Sequence, residues 1–205
     1  MPVAFLSGDE AAAYGRYTAV PSQAELDKVF FLGDEDRKLA GRRRGPHMKL
    51  GFALQLVTVR YAGLFLKDPL DVPPAVVEFE TAQLEIADPP CVKRYTERAK
   101  TPCDHAREIQ RAYRLRDFAA AGGELREWVA ARSWTSGDGP KAIFSDAVRW
   151  LREHDLLLPG VTTLARLVAN VFPTRTPHGL FSHPNRADLL HHERLHRRRS
   201  PPGPA

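Results

Sequence analysis

Cysteine is nearly absent from this chain: there are two in 205 residues, Cys91 and Cys103. Two thiols with no secretion signal near them argue against a disulfide framework and read as reduced cytosolic side chains. They make no zinc site either, because a tetrahedral set needs two further ligands and only His105 stands close. Long apolar runs are also missing, and none approaches the roughly 18 residues of a membrane span. The start, Met1 to Glu10, has no basic region and turns acidic at Asp9 and Glu10, so no signal peptide is expected. Glycine-rich phosphate loops, a nucleophile elbow and an HExxH pair are absent. The carboxylates lie at the spacings of solubilising helix surfaces. No catalytic residue, metal or cofactor is expected, and the expected location is cytoplasmic, with no membrane partner.

A core is affordable on composition, since 43% of the residues are hydrophobic. The formal charge of +5 points only weakly to an anionic partner. Its distribution says more. From Pro173 to Ala205 six arginines face only Asp188 and Glu193, which leaves the body of the chain close to neutral. Any binding face there must come from local clustering.

The pattern reads as helices separated by punctuated turns. A short helix is expected over 9–17 behind Ser7 or Asp9. A second should run through Phe30, with Ser22 and Glu25 at capping-box spacing, and a third over 35–42 behind Asp34. Gly45-Pro46 breaks the chain and opens a helix to Ala62 that is apolar around most of its circumference, so it should be central and buried. Further helices are expected from Pro73-Pro74 to about Leu84, over 90–99 and over 102–114. A second unit is expected to begin near Asp117, with helices over 117–133, 141–154 and from Thr162 or Thr163, as cap, to Val171. Trp128, Trp134 and Trp150 fall at helical positions where core packing is the default. After Phe172 six prolines interrupt a histidine- and arginine-rich stretch with no hydrophobic period. The expectation is therefore an all-α protein with two helix-turn-helix-like units, 1–116 and 117–172, and an unstructured basic tail, 173–205. In that tail His191, His192 and His196 resemble a metal pair, but composition alone explains them.

Two clusters could carry function. Between Arg37 and Lys67 there are eight basic residues and no acidic one: Arg37, Lys38, Arg42, Arg43, Arg44, Lys49, Arg60 and Lys67. Three of them directly precede the N-terminus of the buried helix, where free backbone N–H groups favour anions. A phosphate backbone is one reading. Solvated arginines, or pairing with Asp34, Glu35 and Asp36 one turn away, is the other. The second cluster is the helix pair 141–154 and 162–171. A helix-turn-helix presents the first residues of its second helix to base edges, here Thr162, Thr163 and Arg166. The connection His154–Val161 is longer than the usual turn, and an ordinary helical hairpin remains the alternative.

The segment Arg42-Arg43-Arg44-Gly45-Pro46-His47-Met48-Lys49-Leu50-Gly51-Phe52-Ala53-Leu54-Gln55-Leu56, continuing to Arg60-Tyr61-Ala62-Gly63, resembles the amino-terminal region (DUF4158-like) of Tn-three family transposases. So do Val72 to Val77 and Leu156 to Leu167, and the resemblance runs over roughly residues 5–171. It implies helical modules that bind the terminal inverted repeats of a replicative transposon. Strand transfer in the family belongs to a carboxyl-terminal metal-dependent acidic-triad domain that has no counterpart in this sequence, so the chain is expected not to be an enzyme. The implied partner is double-stranded DNA at transposon ends, with dimerisation, if any, through the parent transposase and association with the nucleoid when bound. Candidate DNA-binding residues are Arg42, Arg43, Arg44, His47, Lys49, Arg60, Thr162, Thr163 and Arg166. After Val171 the family pattern gives way to the tail, as a truncated or frameshifted reading frame would make it. Two rival readings stay open: a helical DNA-binding regulator and a protein-interaction module, both unrelated to transposition.

Overall fold

A computed structural model describes residues 5–171. The expected tail over 173–205, with His191, His192 and His196, lies outside the described residues. Among the described residues, nine α-helices and one 3-10 helix carry the regular structure and there is no strand, as the patterning predicts. A lone backbone bridge pairs Arg116 with Leu156.

The first two helices, α1 (Gly8–Ala13) and α2 (Gln23–Val29), open on capping boxes. In the second, the Ser22 hydroxyl accepts from the Glu25 N–H while the Glu25 carboxylate accepts from the Ser22 N–H. The third, α3 (Asp34–Gly41), corrects the expected cap. Asp34 is already helical, Gly33 stands before it, and the Asp36 carboxylate reaches back to the Gly33 N–H at 3.0 Å.

Helix α4 (Pro46–Ala62) has the predicted bounds and is buried without interruption from Leu50 to Val59. Its 17 residues span about 25 Å. Helices α2, α3, α5 (Pro74–Gln83) and α6 (Lys100–Ala112) pack around it, together with the 3-10 helix Pro89–Thr96. The segment expected as a helix over 90–99 is thus a tighter and shorter one. Pro89 and Pro90 supply no N–H, and the i→i+3 bond from Cys91 to the Asp88 carbonyl starts it. The contact it makes explains one glycine: the Tyr95 ring lies where a Cβ on Gly51 would stand, 2.2 Å from that position. The Tyr95 hydroxyl in turn accepts from Gln55 at 2.8 Å, so these two polar side chains carried into the core are paired.

Helices α7 (Phe118–Thr135), α8 (Pro140–Glu153) and α9 (Val161–Val171) each pack against the other two. Leu125, Val129, Ile143, Leu151, Leu164 and Val168 fill the space between them. Phe5, Leu6 and Tyr14, from the start of the chain, lie against this second cluster. Trp128 and Trp150 are half-buried with ring centroids 6.0 Å apart. Trp134 departs from the core reading and is 72% exposed, because it falls on the outer side of the last turn of α7.

The two clusters meet at the C-terminal end of α4. Gly63 has φ 80° and donates to the Val59 carbonyl, the left-handed ending that glycine adopts without penalty. Its carbonyl accepts from the Leu158 N–H at 2.8 Å, and the Tyr61 carbonyl accepts from Arg152 at 3.0 Å. Three other helix ends use left-handed residues that are not glycine: Glu85, Arg114 and Asp155. Each is followed by an apolar residue whose N–H closes a six-residue loop back to the helix, at Thr81, Gln110 and Leu151 respectively.

Candidate nucleic-acid interface

The basic interval from Arg37 to Lys67 divides into inward and outward halves. Arg60, although exposed, is a clamp between helices. It donates to the Val29 and Phe31 carbonyls at 3.3 and 2.9 Å and pairs with Asp36 at 2.8 Å, which ties α2 and α3 to α4. Asp36 also accepts from the Tyr113 hydroxyl. Burial works to raise the Asp36 carboxyl, but those two partners hold it below its ordinary value. Beside them Glu80 is wholly buried, with one carboxylate oxygen unpaired, and burial pushes its carboxyl up to about 9.

Arg43 also points inward. Its side chain is 15% exposed, its guanidinium lies 4.4 Å over the Phe52 ring, and it forms an ion pair with Glu108 of α6. Arg37 donates to the Leu32 carbonyl, and Lys38 pairs with Glu35. The acids of α3 therefore do not neutralise the arginine triplet. Arg42 and Arg44 are exposed, Lys49 is half-buried, and none of the three has an ion pair or side-chain hydrogen bond among the described residues. His47 is half-buried in the first turn of α4. An arginine–glycine–proline break at the head of a rigid helix thus leaves two guanidinium groups facing solvent, with a third fixing the loop between them.

The other expected cluster lies on α9. That helix opens at Val161, one residue before the expected caps, and Thr162 and Thr163 are free of capping because the Gly160 carbonyl begins the hydrogen-bond ladder. Thr162, Thr163 and Arg166 are all exposed, while Leu164, Ala165, Leu167 and Val168 are buried. Ala169 and Asn170 are exposed too. The five exposed positions follow the spacing i, i+1, i+4, i+7, i+8, which is one face of a helix. Asn170 was not among the sequence candidates, although this periodicity was available to find it. The face has no carboxylate, and it combines threonine, arginine and asparagine, the side chains that pair with phosphates, guanine and adenine edges.

Among the described residues no group of His, Cys, Asp and Glu is placed to hold a metal ion. Cys91 and Cys103 are free. No described helix is long and apolar enough to cross a membrane.

The family described as "Domain of unknown function (DUF4158)" matches residues 5–171. Similar proteins include "Transposase for transposon gamma-delta" of Escherichia coli (strain K12), 38% identical over 83% of this chain and 17% of that protein. "Transposase for transposon Tn501" of Pseudomonas aeruginosa is 31% identical over 76% of the chain and 16% of its own length. "Transposase for transposon Tn1546" of Enterococcus faecium is 26% identical over 70% and 14%. The chain therefore spans about a sixth of the length of these relatives, and what matches is the whole described fold, including both the arginine triplet and α9. With that match the chain belongs to the DUF4158 family and is a homologue of part of the Tn-three family transposases.

Proposed function

We propose that this chain binds the terminal inverted repeats of a transposon, as a DNA-binding part of a transposase. The observation that carries the proposal is the outer face of α9. It is the third helix of a three-helix packing unit, its inner face is wholly apolar, and its outer face offers Thr162, Thr163, Arg166 and Asn170 without a single acid. Helix-turn-helix domains, homeodomains among them, lay such a helix in the major groove. Arg42, Arg44 and Lys49 act separately, on phosphates. Arg43 and Arg60 serve this interface by holding the loop and the helices in place. The units 1–116 and 117–172 then divide the work, the first gripping the backbone and the second reading the bases. Transposition itself belongs to the longer protein.

The relatives' names favour this reading over a regulator or interaction module unrelated to transposition. The test is binding of the full chain to a labelled duplex carrying the terminal repeat of transposon gamma-delta, against a scrambled duplex, across a salt series. Preferential binding that weakens steeply with salt is expected, because each neutralised phosphate contributes about 0.9 to the logarithmic slope. Equal weak binding to both duplexes would reject sequence-directed binding to ends. Indifference to DNA at low salt, in a chain whose circular dichroism is helical, would favour the interaction module.

A further inference from the structure

We propose that the outer face of α6 is a second phosphate-binding surface, joined to the arginine loop by the Arg43–Glu108 pair. The proposal rests on the DNA-binding reading above and assigns contact residues outside the arginine triplet and α9. Helix α6 carries two acids, and both are engaged. Glu108 is bound to Arg43, and Asp104 lies between Lys100 at 3.9 Å and Arg107 at 3.4 Å. What remains outward is cationic. Lys100, Arg107, Arg111 and Arg114 are all exposed, and Arg111 and Arg114 have no ion pair among the described residues. Arg107 and Arg111 stand four residues apart on one face of the helix, and Arg114 follows beyond its end.

The ion pair determines where that face lies. Glu108 stands three residues before Arg111, about one helical turn away, so the guanidinium that Glu108 holds lies on the side of α6 that Arg111 occupies. Arg42 and Arg44 flank that same Arg43, and consecutive Cα atoms are about 3.8 Å apart. The pair therefore ties the helix that carries Arg107 and Arg111 to the loop that carries Arg42 and Arg44. Arg43 is fixed further by Phe52 beneath it. Partly buried pairs of this kind contribute little net stability and act best as registering devices, and here the register is that of two basic segments 65 residues apart. Outward cations on both segments, with the two acids of α6 already engaged, suit a polyanion with closely and regularly spaced charges, which a duplex backbone provides at one phosphate per about 3.4 Å of each strand. Phosphate contacts of this sort position a protein without reading sequence.

The experiment measures the salt dependence of the full chain on the terminal-repeat duplex of transposon gamma-delta and on its scrambled form. It compares the unmodified chain, the double variant Arg107→Gln/Arg111→Gln, and a charge-matched control, Arg16→Gln/Lys28→Gln, on exposed positions outside α6 and the arginine loop. The α6 variant is expected to lower the logarithmic salt slope by about 1.8 on both duplexes, two phosphates at about 0.9 each, with the preference between duplexes unchanged and the control unaffected. An unchanged slope in the α6 variant would overturn the proposal while leaving the DNA-binding reading intact. An equal fall in the control would overturn it as well, since diffuse charge would then suffice. If the unmodified chain binds neither duplex, the DNA-binding reading fails and this proposal with it.

Discussion

The two hydrophobic clusters of this protein treat polar groups in opposite ways. Around α4 they are taken inside: Asp36, Gln55, Thr58, Glu80 and Thr81, the buried polar or charged residues among the described ones, all belong to this region. Arg43 and Arg60 are drawn in after them as partners. In the α7–α9 unit the interior is apolar throughout, and the polar residues of α9 stay outside, free of internal partners. The difference is physical. A helix buried on all sides must pair whatever polar group it carries inward, which orients the helices around it. A small three-helix unit with a purely apolar seam needs no such pairing and leaves one helix face available for another molecule. The first region holds polar groups inside, and the second keeps them on its surface.

That contrast can be broken most directly through the seam. Leu164→Ala empties a fully buried position and is expected to cost about 2–5 kcal/mol, read as a lowered midpoint in denaturant unfolding. A cost below 1 kcal/mol would mean that the α9 seam is loosely packed. In the scaffold Gly51→Ala places a methyl against Tyr95, and the expected loss is about 1–3 kcal/mol. Full tolerance would show that the 3-10 helix can shift away from α4.

Glu80 sharpens the contrast through pH. Its carboxyl ionises near 9 in the folded chain and near 4.5 when the environment is removed. Between those values the folded state holds a proton that the unfolded state has released, so this group's contribution to stability is full below about pH 4.5 and is lost as pH rises toward 9. Glu80→Gln is expected to flatten that decline and to stabilise the chain at pH 8 by about 1–3 kcal/mol. Parallel unfolding curves for the two proteins from pH 5 to pH 8 would show that Glu80 is ionised in the fold. A smaller effect is expected where α5 ends. Glu85 is left-handed at φ 54°, so Glu85→Gly should add about 1 kcal/mol, visible as a raised Tm, and no gain would mean that the Glu85 side chain offsets its backbone strain.

Much of this architecture is legible from local signals. Pro46, Gly63 and an unbroken apolar run delimit α4, and the Ser22–Glu25 spacing marks the start of α2, whereas α1 ends at Ala13, short of the expected residue 17. The exposed face of the helix after Gly160 is legible too, from its periodicity. What the sequence does not disclose is which cations face inward. Arg43 and Arg42 look alike as neighbours in a triplet, and only the arrival of Glu108 and Phe52 from distant positions separates them. Arg60 sits one residue after a buried valine and is claimed by the ends of α2 and the start of α3, contacts 24 to 31 residues away. The same holds for helix ends at Glu85, Arg114 and Asp155, where no glycine announces the turn.

The central claim is that one region grips DNA and the other reads it. The most direct measurement compares Arg166→Ala/Asn170→Ala with Arg42→Ala/Arg44→Ala in the full chain, on terminal-repeat and scrambled duplexes across a salt series. The α9 variant is expected to lose about 1–3 kcal/mol of preference for each base contact removed, and the loop variant to lower the salt slope by about 1.8 with preference retained. If the α9 variant keeps its full preference for the terminal repeat while remaining folded, the assignment of α9 as the reading helix is wrong.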